Sequence, residues 1–135
     1  MDSLTEITES INWYNKNYKT ATIDVLINLK TKLVTENFYL AELVSENNCF
    51  QLQWENEKKV KFAKERYRLI SDNWTVSKAE AKAETEIENE RNQFTQYKIV
   101  FDRLKILHNQ TNEVCNDIMQ RIAILRHENA NAAKL

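Results

Sequence analysis

Apolar residues in the C-terminal half of the chain recur with alternating steps of three and four residues. One series runs every seven residues from Ile87 to Ile122, and a second runs between its members from Glu90 to Leu125. This heptad spacing predicts a long α-helix with one apolar seam. The residues expected to form this core or oligomer seam are Phe94, Tyr97, Phe101, Leu104, Ile118, Ile122 and Leu125.

A further set of apolar positions widens the seam on one side, at Val100, Leu107 and Val114. A face with three apolar positions per heptad is too broad for a two-stranded coiled coil. It is typical of a helix that packs against two neighbours. We therefore expect the protein to self-associate into a helical bundle and to be a homo-oligomer.

The first half of the chain repeats the heptad pattern less regularly. Leu26, Leu33 and Leu40 share a frame that reaches Trp54. Beyond Trp54 the frame slips, which changes the supercoiling locally without ending a helix. The new frame predicts a second set of core positions, at Val60, Ala63, Tyr67, Ile70 and Trp74.

The stretch SDNWTVSKAEAKAETE, residues 71–86, predicts a chain reversal. Ser, Asp and Asn bond to their own backbone and favour turns. Asn73 is the best available left-handed helix cap, and Thr75 or Ser77 can begin the next helix. The alternative is one helix of about 110 residues, far beyond the usual length of helices in globular proteins.

These patterns predict an all-α protein with one domain, residues 1–135. Its fold is a long antiparallel two-helix hairpin preceded by a short N-terminal helix. The expected elements are a helix over 3–17, a long helix over 20–72, a turn over 73–76 and a long helix over 77–128. The polar stretch 15–22 is the expected break between the first two helices, with a bent continuous helix as the open alternative.

Composition excludes several classes of protein, because the chain has no Gly and no Pro. Hairpin-rich β folds, dinucleotide-binding fingerprints and phosphate-binding loops all depend on Gly. Charged residues make up 29% of the chain and apolar residues 42%, a mixture typical of long helices.

The strongest charge pattern is a basic run over residues 58–68, in which Phe62 and Tyr67 stand among Lys and Arg. Aromatic residues among basic ones are typical of nucleic-acid-binding surfaces. In the predicted hairpin this run lies beside the acidic stretch 80–90, so the two could instead neutralise each other. The net charge of −1 favours the internal match. The candidate contacts to nucleic acid or to a protein partner are Lys58, Lys59, Lys61, Lys64, Arg66 and Arg68.

Sequence motifs for catalysis or metal binding are missing. Cys49 and Cys115 would lie about 20 Å apart along the hairpin, too far for a disulfide. There is no CxxC motif, and the two histidines, His108 and His127, have no nucleophile at a suitable spacing. We predict a protein that is not an enzyme and has no cofactor and no metal.

The location expected from the sequence is cytoplasmic. No apolar run approaches the roughly 18 residues that a membrane-spanning helix needs, so we expect no membrane association. The N-terminal residues MDSLTEITES are acidic and polar, unlike a signal peptide.

Three segments resemble a group of small proteins encoded by tailed phages: NWTVSKAEAKAETE, YKIVFDRLKIL and CNDIMQRIAILRHE. The group consists of uncharacterised helical hairpins, often encoded beside recombination or replication genes. The resemblance rests on three shared features. A helix rich in Ala, Glu and Lys begins after a turn, and a Tyr-Lys…Leu-Lys segment follows. The last helix then ends with a Gln-Arg-Ile-x-x-Leu-Arg-x-Glu motif, here Gln120 to Glu128. The resemblance covers residues 60–128, although the Gly usual in the turn is absent here.

The resemblance implies a non-enzymatic phage accessory protein in the host cytoplasm. Such a protein would be a scaffold or adaptor for DNA recombination or replication proteins. The group has no established catalytic residues to transfer to this chain. Two alternatives stay open: direct nucleic-acid binding through residues 58–68, and inhibition of a host defence complex.

Overall fold

The computed structural model describes residues 3–134, and all regular secondary structure in that range is helical. The prediction of an all-α protein is confirmed. Contacts group the chain into two compact units: unit 1 joins Met1–Leu43 with Leu104–Leu135, and unit 2 is Val44–Arg103. The helices are α1 (Ser3–Asn17), α2 (Ile23–Ser71), α3 (Val76–Glu86) and α4 (Glu88–Ala133).

The helix ends differ from the sequence-based boundaries by a few residues, and one helix is interrupted. Helix α2 begins at Ile23 instead of residue 20, and residues 18–22 are not helical, so the expected break separates α1 from α2. The helix predicted over 77–128 is divided at Ile87 and continues to Ala133. The backbone N–H of Ile87 still donates to the Ala83 carbonyl at 3.2 Å, and its carbonyl accepts from the Arg91 N–H at 2.9 Å. The helical hydrogen bonds therefore continue through the interruption.

The turn between α2 and α3 is closed by Asn73, whose φ of 69° lies in the left-handed region. The Trp74 N–H donates to the Leu69 carbonyl at 3.0 Å, and the Asn73 N–H donates to the Ile70 carbonyl at 3.1 Å. This pair of bonds forms a Schellman motif, which satisfies carbonyls that the end of a helix leaves without partners. Asn73 therefore adopts the conformation that the sequence predicts.

Helix α3 begins directly after this turn, with Thr75 as its N-cap. The Thr75 hydroxyl accepts a hydrogen bond from the Lys78 N–H at 3.3 Å, and its backbone is extended. Of the two caps that the sequence allows, Thr75 and Ser77, the structure uses Thr75. Such a cap contributes about 1 kcal/mol to helix stability.

The core of unit 2 next to the turn is built from small and branched side chains. Ala79 and Ala83 are fully buried on α3, together with Leu69 of α2 and Ile87. Because alanine has only a methyl group, α3 can approach its neighbour closely at these two positions.

The core positions predicted after Trp54, from a slip of the heptad frame, are wrong for the most part. Val60 is 43% exposed and Tyr67 is 76% exposed, and Ala63 is also exposed. Trp74 is 41% exposed, and only Ile70 of that set is half-buried. The half-buried side chains after Trp54 are instead mostly long and polar, and they include Lys58, Lys61, Phe62, Glu65 and Arg66. Lysine and arginine can occupy such positions because their methylene stems pack while their charged ends stay near water.

Unit 1 has the larger apolar core, to which three helical segments contribute. Leu26, Leu33 and Leu40 recur every seven residues on α2, and each is at most 1% exposed. Ile7 of α1 and Ile118 of α4 are buried to the same degree. Burying each of these side chains stabilises the fold by about 1.5–3 kcal/mol.

Replacing Asn73 by Gly is expected to keep the fold and to raise the free energy of unfolding by up to about 1 kcal/mol. The reason is that Gly reaches positive φ without the Cβ penalty. Asn73→Ala should lower the free energy of unfolding by about 1 kcal/mol. Urea unfolding followed by circular dichroism measures both changes.

The matched control is Ser71→Gly, which places the same residue in the last turn of α2. It should destabilise by roughly 0.5–1 kcal/mol. A loss of stability in Asn73→Gly as large as that of the control would contradict the assignment of the turn.

Candidate interaction surfaces

Three residues of the basic run contact side chains of α3 or α4 within unit 2. The Lys61 ammonium lies 2.9 Å from Glu90, and the Arg66 guanidinium lies 3.1 Å from Glu80. The Lys58 ammonium lies 4.6 Å from the centre of the Phe94 ring, within range of a cation–π contact. The charge match between the basic run and the acidic stretch is present at the two ion pairs.

The other basic residues are mostly engaged along α2 itself. Lys59 pairs with Glu55 at 3.2 Å, and Arg68 pairs with Glu65 at 2.9 Å. Among the described residues, Lys64 is the member of the run without such a contact. Little positive charge in this run is therefore left to contact phosphates, each of which would need a nearby cation.

Glu90 occupies a seam position of α4, and its side chain is 13% exposed. The hydrogen bond from Lys61 lowers the pKa of the Glu90 carboxyl, while partial burial acts in the opposite direction. One carboxylate oxygen accepts that bond, and the other is buried without a partner. Lys61 is therefore the group that compensates this carboxylate within the packing of unit 2.

The predicted seam residues take part in packing within the chain itself. Leu104, Ile118 and Ile122 are buried in unit 1. In unit 2, the Tyr97 ring lies 5.2 Å from the Phe50 ring. The half-buried members of the seam are Phe94, Tyr97, Phe101 and Leu125.

A polar contact in unit 1 joins α1 to α4. Tyr14 is 3% exposed, and its hydroxyl donates a hydrogen bond to the Asp117 carboxylate. Close by along α4, the Arg121 guanidinium donates to the Lys19 carbonyl at 3.3 Å. Burial, and then the bond to Asp117, raise the pKa of the Tyr14 phenol well above its ordinary value, against a smaller opposite effect of Arg121.

A second polar contact in unit 1 joins α2 to α4. Asn37 is 8% exposed, and its side-chain amide donates to the Asn112 side-chain oxygen at 2.7 Å. Asn37 is buried beside Leu33 and Leu40, and Asn112 is exposed. A buried polar side chain with a specific partner disfavours alignments of the helices that would separate the two. Sequence reasoning missed this contact, although a polar residue between Leu33 and Leu40 was the available signal.

An exposed apolar row, here called the outer stripe, consists of Val60, Ala63 and Tyr67 on α2 in unit 2. These three residues keep the steps of three and four that led us to predict them as core positions. Glu57 and Lys64, which lie seven residues apart, line one shallow depression together with Val60 and the paired Lys61 and Glu90. Apart from that ion pair, this flank of the stripe carries one acidic and one basic residue, Glu57 and Lys64.

Unit 1 contains an open groove between α2 and α4, with a volume of about 530 Å³. Two basic residues, Lys30 and Arg126, also line it. Val34 and Met119 are each 51% exposed there. The apolar lining is Ile27, Val34, Met119, Ile122 and Ala123.

The cysteine and histidine side chains are not brought together into a site. Cys49 is exposed, Cys115 is buried, and both are free thiols. Burial raises the pKa of the Cys115 thiol, with Lys30 acting in the opposite direction. His127 lies 3.1 Å from the Asn131 side chain, and His108 is half-buried. Within residues 3–134, no cluster of three or more His, Cys, Asp or Glu side chains could hold a metal ion.

Replacing Tyr14 by Phe is expected to lower the free energy of unfolding by about 1 kcal/mol at neutral pH, because the bond to Asp117 is lost. The raised pKa of Tyr14 adds a pH dependence. This stabilisation is complete below the unfolded-state pKa, about 10, and is lost as the pH rises above it. Urea unfolding at pH 7 to 11 measures both effects.

The matched control is Tyr39→Phe, at a tyrosine that is 53% exposed and lies outside both candidate surfaces. It should leave stability unchanged at neutral pH. The wild-type chain should lose stability above about pH 10 more steeply than Tyr14→Phe. Equal alkaline slopes in these two proteins would contradict a buried Tyr14 phenol that is bonded to Asp117.

None of the helices in residues 3–134 has the length and apolar content needed to cross a lipid bilayer. Comparison with protein-family models, with curated proteins and with solved structures finds no match to this chain.

Proposed function

We propose that this protein is a non-enzymatic helical scaffold that associates with copies of itself and holds a second protein as an adaptor. The observation that carries the proposal is the outer stripe. Val60, Ala63 and Tyr67 have the spacing of a coiled-coil seam, yet they face solvent in unit 2. Apolar rows at this spacing are buried when a second helix lies along them.

A second copy of the chain is the occupant that fits the outer stripe best. Val60 lies about midway between Glu57 and Lys64. If two copies pair antiparallel around Val60, Glu57 of each copy faces Lys64 of the other. Opposite charges that flank an apolar stripe favour such a register, whereas a parallel pair would oppose Glu57 to Glu57.

We also infer that α2 and α4 form the long antiparallel hairpin of the sequence analysis. Within unit 2, Arg66 pairs with Glu80, and Phe50 packs on Tyr97. Phe50 precedes Arg66 on α2, whereas its partner Tyr97 follows Glu80 along the chain. This order of contacts is that of two antiparallel segments. Within unit 1, the bond between Asn37 and Asn112 fits the same order.

We propose further that the protein held by the adaptor acts in phage DNA recombination or replication. The resemblance of residues 60–128 to small phage hairpin proteins supports this choice. Little uncompensated positive charge remains in residues 58–68, which favours a protein partner over nucleic acid.

The charges beside the outer stripe give a direct test of self-association. Glu57→Lys or Lys64→Glu alone would place like charges across the antiparallel pair, and each should lower the association constant on the order of tenfold. The double exchange Glu57→Lys with Lys64→Glu should restore it, because opposite charges face each other again. Sedimentation equilibrium of the full chain measures the mass.

Val60→Glu places a charge at the centre of the outer stripe and should prevent association, so this variant should have the mass of a single chain. Lys32→Glu reverses an exposed charge elsewhere on α2 and should behave like the wild type. A wild-type chain that stays monomeric at high concentration would contradict the proposed self-association. Single exchanges without effect would exclude the antiparallel register.

The choice of partner is tested by affinity capture of the tagged chain from phage-infected bacteria. The expected result is recovery of a recombination or replication protein that is missing from an untagged control. Recovery of no such protein would remove the phage hypothesis and leave the self-association test unaffected.

A further inference from the structure

The groove of unit 1 lies on the side of α4 that faces away from α1. Asp117 and Arg121 contact Tyr14 and Lys19, so they mark the side of α4 that faces the N-terminal segment. Met119 lies about 200° around the helix from Asp117, given about 100° per residue. The groove is therefore a second surface between α2 and α4, separate from the one that α1 covers.

The groove has the dimensions and spacing of a helix-binding site. Its α2 wall carries Ile27, Thr31 and Val34, and its α4 wall carries Met119 and Ala123. On each wall the positions recur at steps of three or four residues, so both walls present continuous ridges. The α2 wall, residues 27–35, is about 13 Å long, which accommodates about two turns of a helix. An amphipathic helix would place apolar side chains at i, i+3 or i+4, and i+7 between the ridges.

The charges of the groove select the chemistry of that helix. Lys30 and Arg126 line it, and none of the described residues that line it is acidic. Within residues 3–134 neither of these cations forms an ion pair. Two cations without counter-charges beside an apolar surface favour an occupant that brings carboxylates.

The same charges disfavour a second copy of this chain at the groove. In a two-fold dimer the same surface of each copy meets its counterpart. Lys30 and Arg126 would then face Lys30 and Arg126, and like charges in contact destabilise an interface. The outer stripe of unit 2 differs in this respect, because both an acidic and a basic residue, Glu57 and Lys64, flank it.

We propose that the groove of unit 1 binds an amphipathic helix of another protein whose polar flanks are acidic. Apolar side chains of that helix occupy the space between Val34 and Met119. Its carboxylates pair with Lys30 and Arg126. The inference rests on the adaptor role proposed above, and it specifies the kind of helix that the adaptor holds.

The test is a selection from a display library of helical peptides of about five turns. The apolar positions of the library are fixed at helical spacing, and the flanking positions vary among Glu, Gln and Lys. The full-length chain is the bait. We expect recovered peptides to be enriched in Glu at the flanks and to lose binding to Val34→Asp. Val34 is half exposed, so its replacement should leave the fold intact, as circular dichroism can verify.

Charge reversal supplies the matched comparison. Lys30→Glu should weaken a selected acidic peptide severalfold, and Lys30→Glu with Arg126→Glu on the order of tenfold or more. The double variant used as bait should enrich Lys at the flanks instead. Lys32→Glu carries the same change on α2 outside the lining of the groove, and it should bind like the wild type.

Other outcomes overturn the inference in distinguishable ways. Peptides that bind at the groove without a preference for Glu would refute the acidic partner and leave the adaptor role in place. The absence of any peptide sensitive to Val34→Asp would show that no helix binds there and would refute the inference, whereas the adaptor role is decided separately by affinity capture. If Val34→Asp instead lowers the solution mass of the chain, a second copy occupies the groove, and the inference is wrong.

Discussion

The left-handed backbone of Asn73 is the constraint on which the rest of unit 2 depends. Because the chain has no Gly, a residue with a Cβ atom must take positive φ for α2 to end and α3 to begin. That conformation costs about 1–2 kcal/mol for most residues and less for Asn. Burial of Leu69 alone contributes about 1.5–3 kcal/mol, so the turn is favourable once α3 packs. The same turn brings Arg66 to Glu80 and allows the two buried alanines of α3 to fit.

The two units bury different kinds of side chains. Unit 1 buries leucines at every seventh position and fixes their alignment with two polar contacts, Tyr14 to Asp117 and Asn37 to Asn112. In unit 2, Lys58 and Lys61 take half-buried positions, and Lys61 pairs with Glu90. Val60 and Tyr67 keep heptad spacing but are exposed in unit 2.

Much of the secondary structure could be predicted from local chemistry. The absence of Gly and Pro, the heptad spacing and the turn residues determine an all-helical chain with a reversal at Asn73. The frame after Trp54 could not be predicted correctly, because spacing alone does not tell which side of a helix is covered. There the apolar series faces solvent, and Lys58 and Lys61 take half-buried positions.

The candidate surfaces were harder to predict than the fold. The bond between Tyr14 and Asp117 spans 103 positions of sequence, so no local pattern reveals it. The groove of unit 1 combines residues from distant parts of the chain for the same reason. The six basic residues were identified as a group, but whether each is paired depends on neighbours that only the folded chain supplies.

The two surfaces suit different partners: the self-complementary charges beside the outer stripe suit a second copy, and the unpaired cations of the groove suit a different protein. We propose above all that the outer stripe pairs two copies. The most direct measurement is the dipolar coupling between spin labels at Ala63→Cys in a Cys49→Ser chain, where Cys115 is protected by burial. Packed helices lie 8–10 Å apart, so the account predicts an inter-copy label distance within about 20 Å. The absence of any inter-copy coupling at high protein concentration would contradict it.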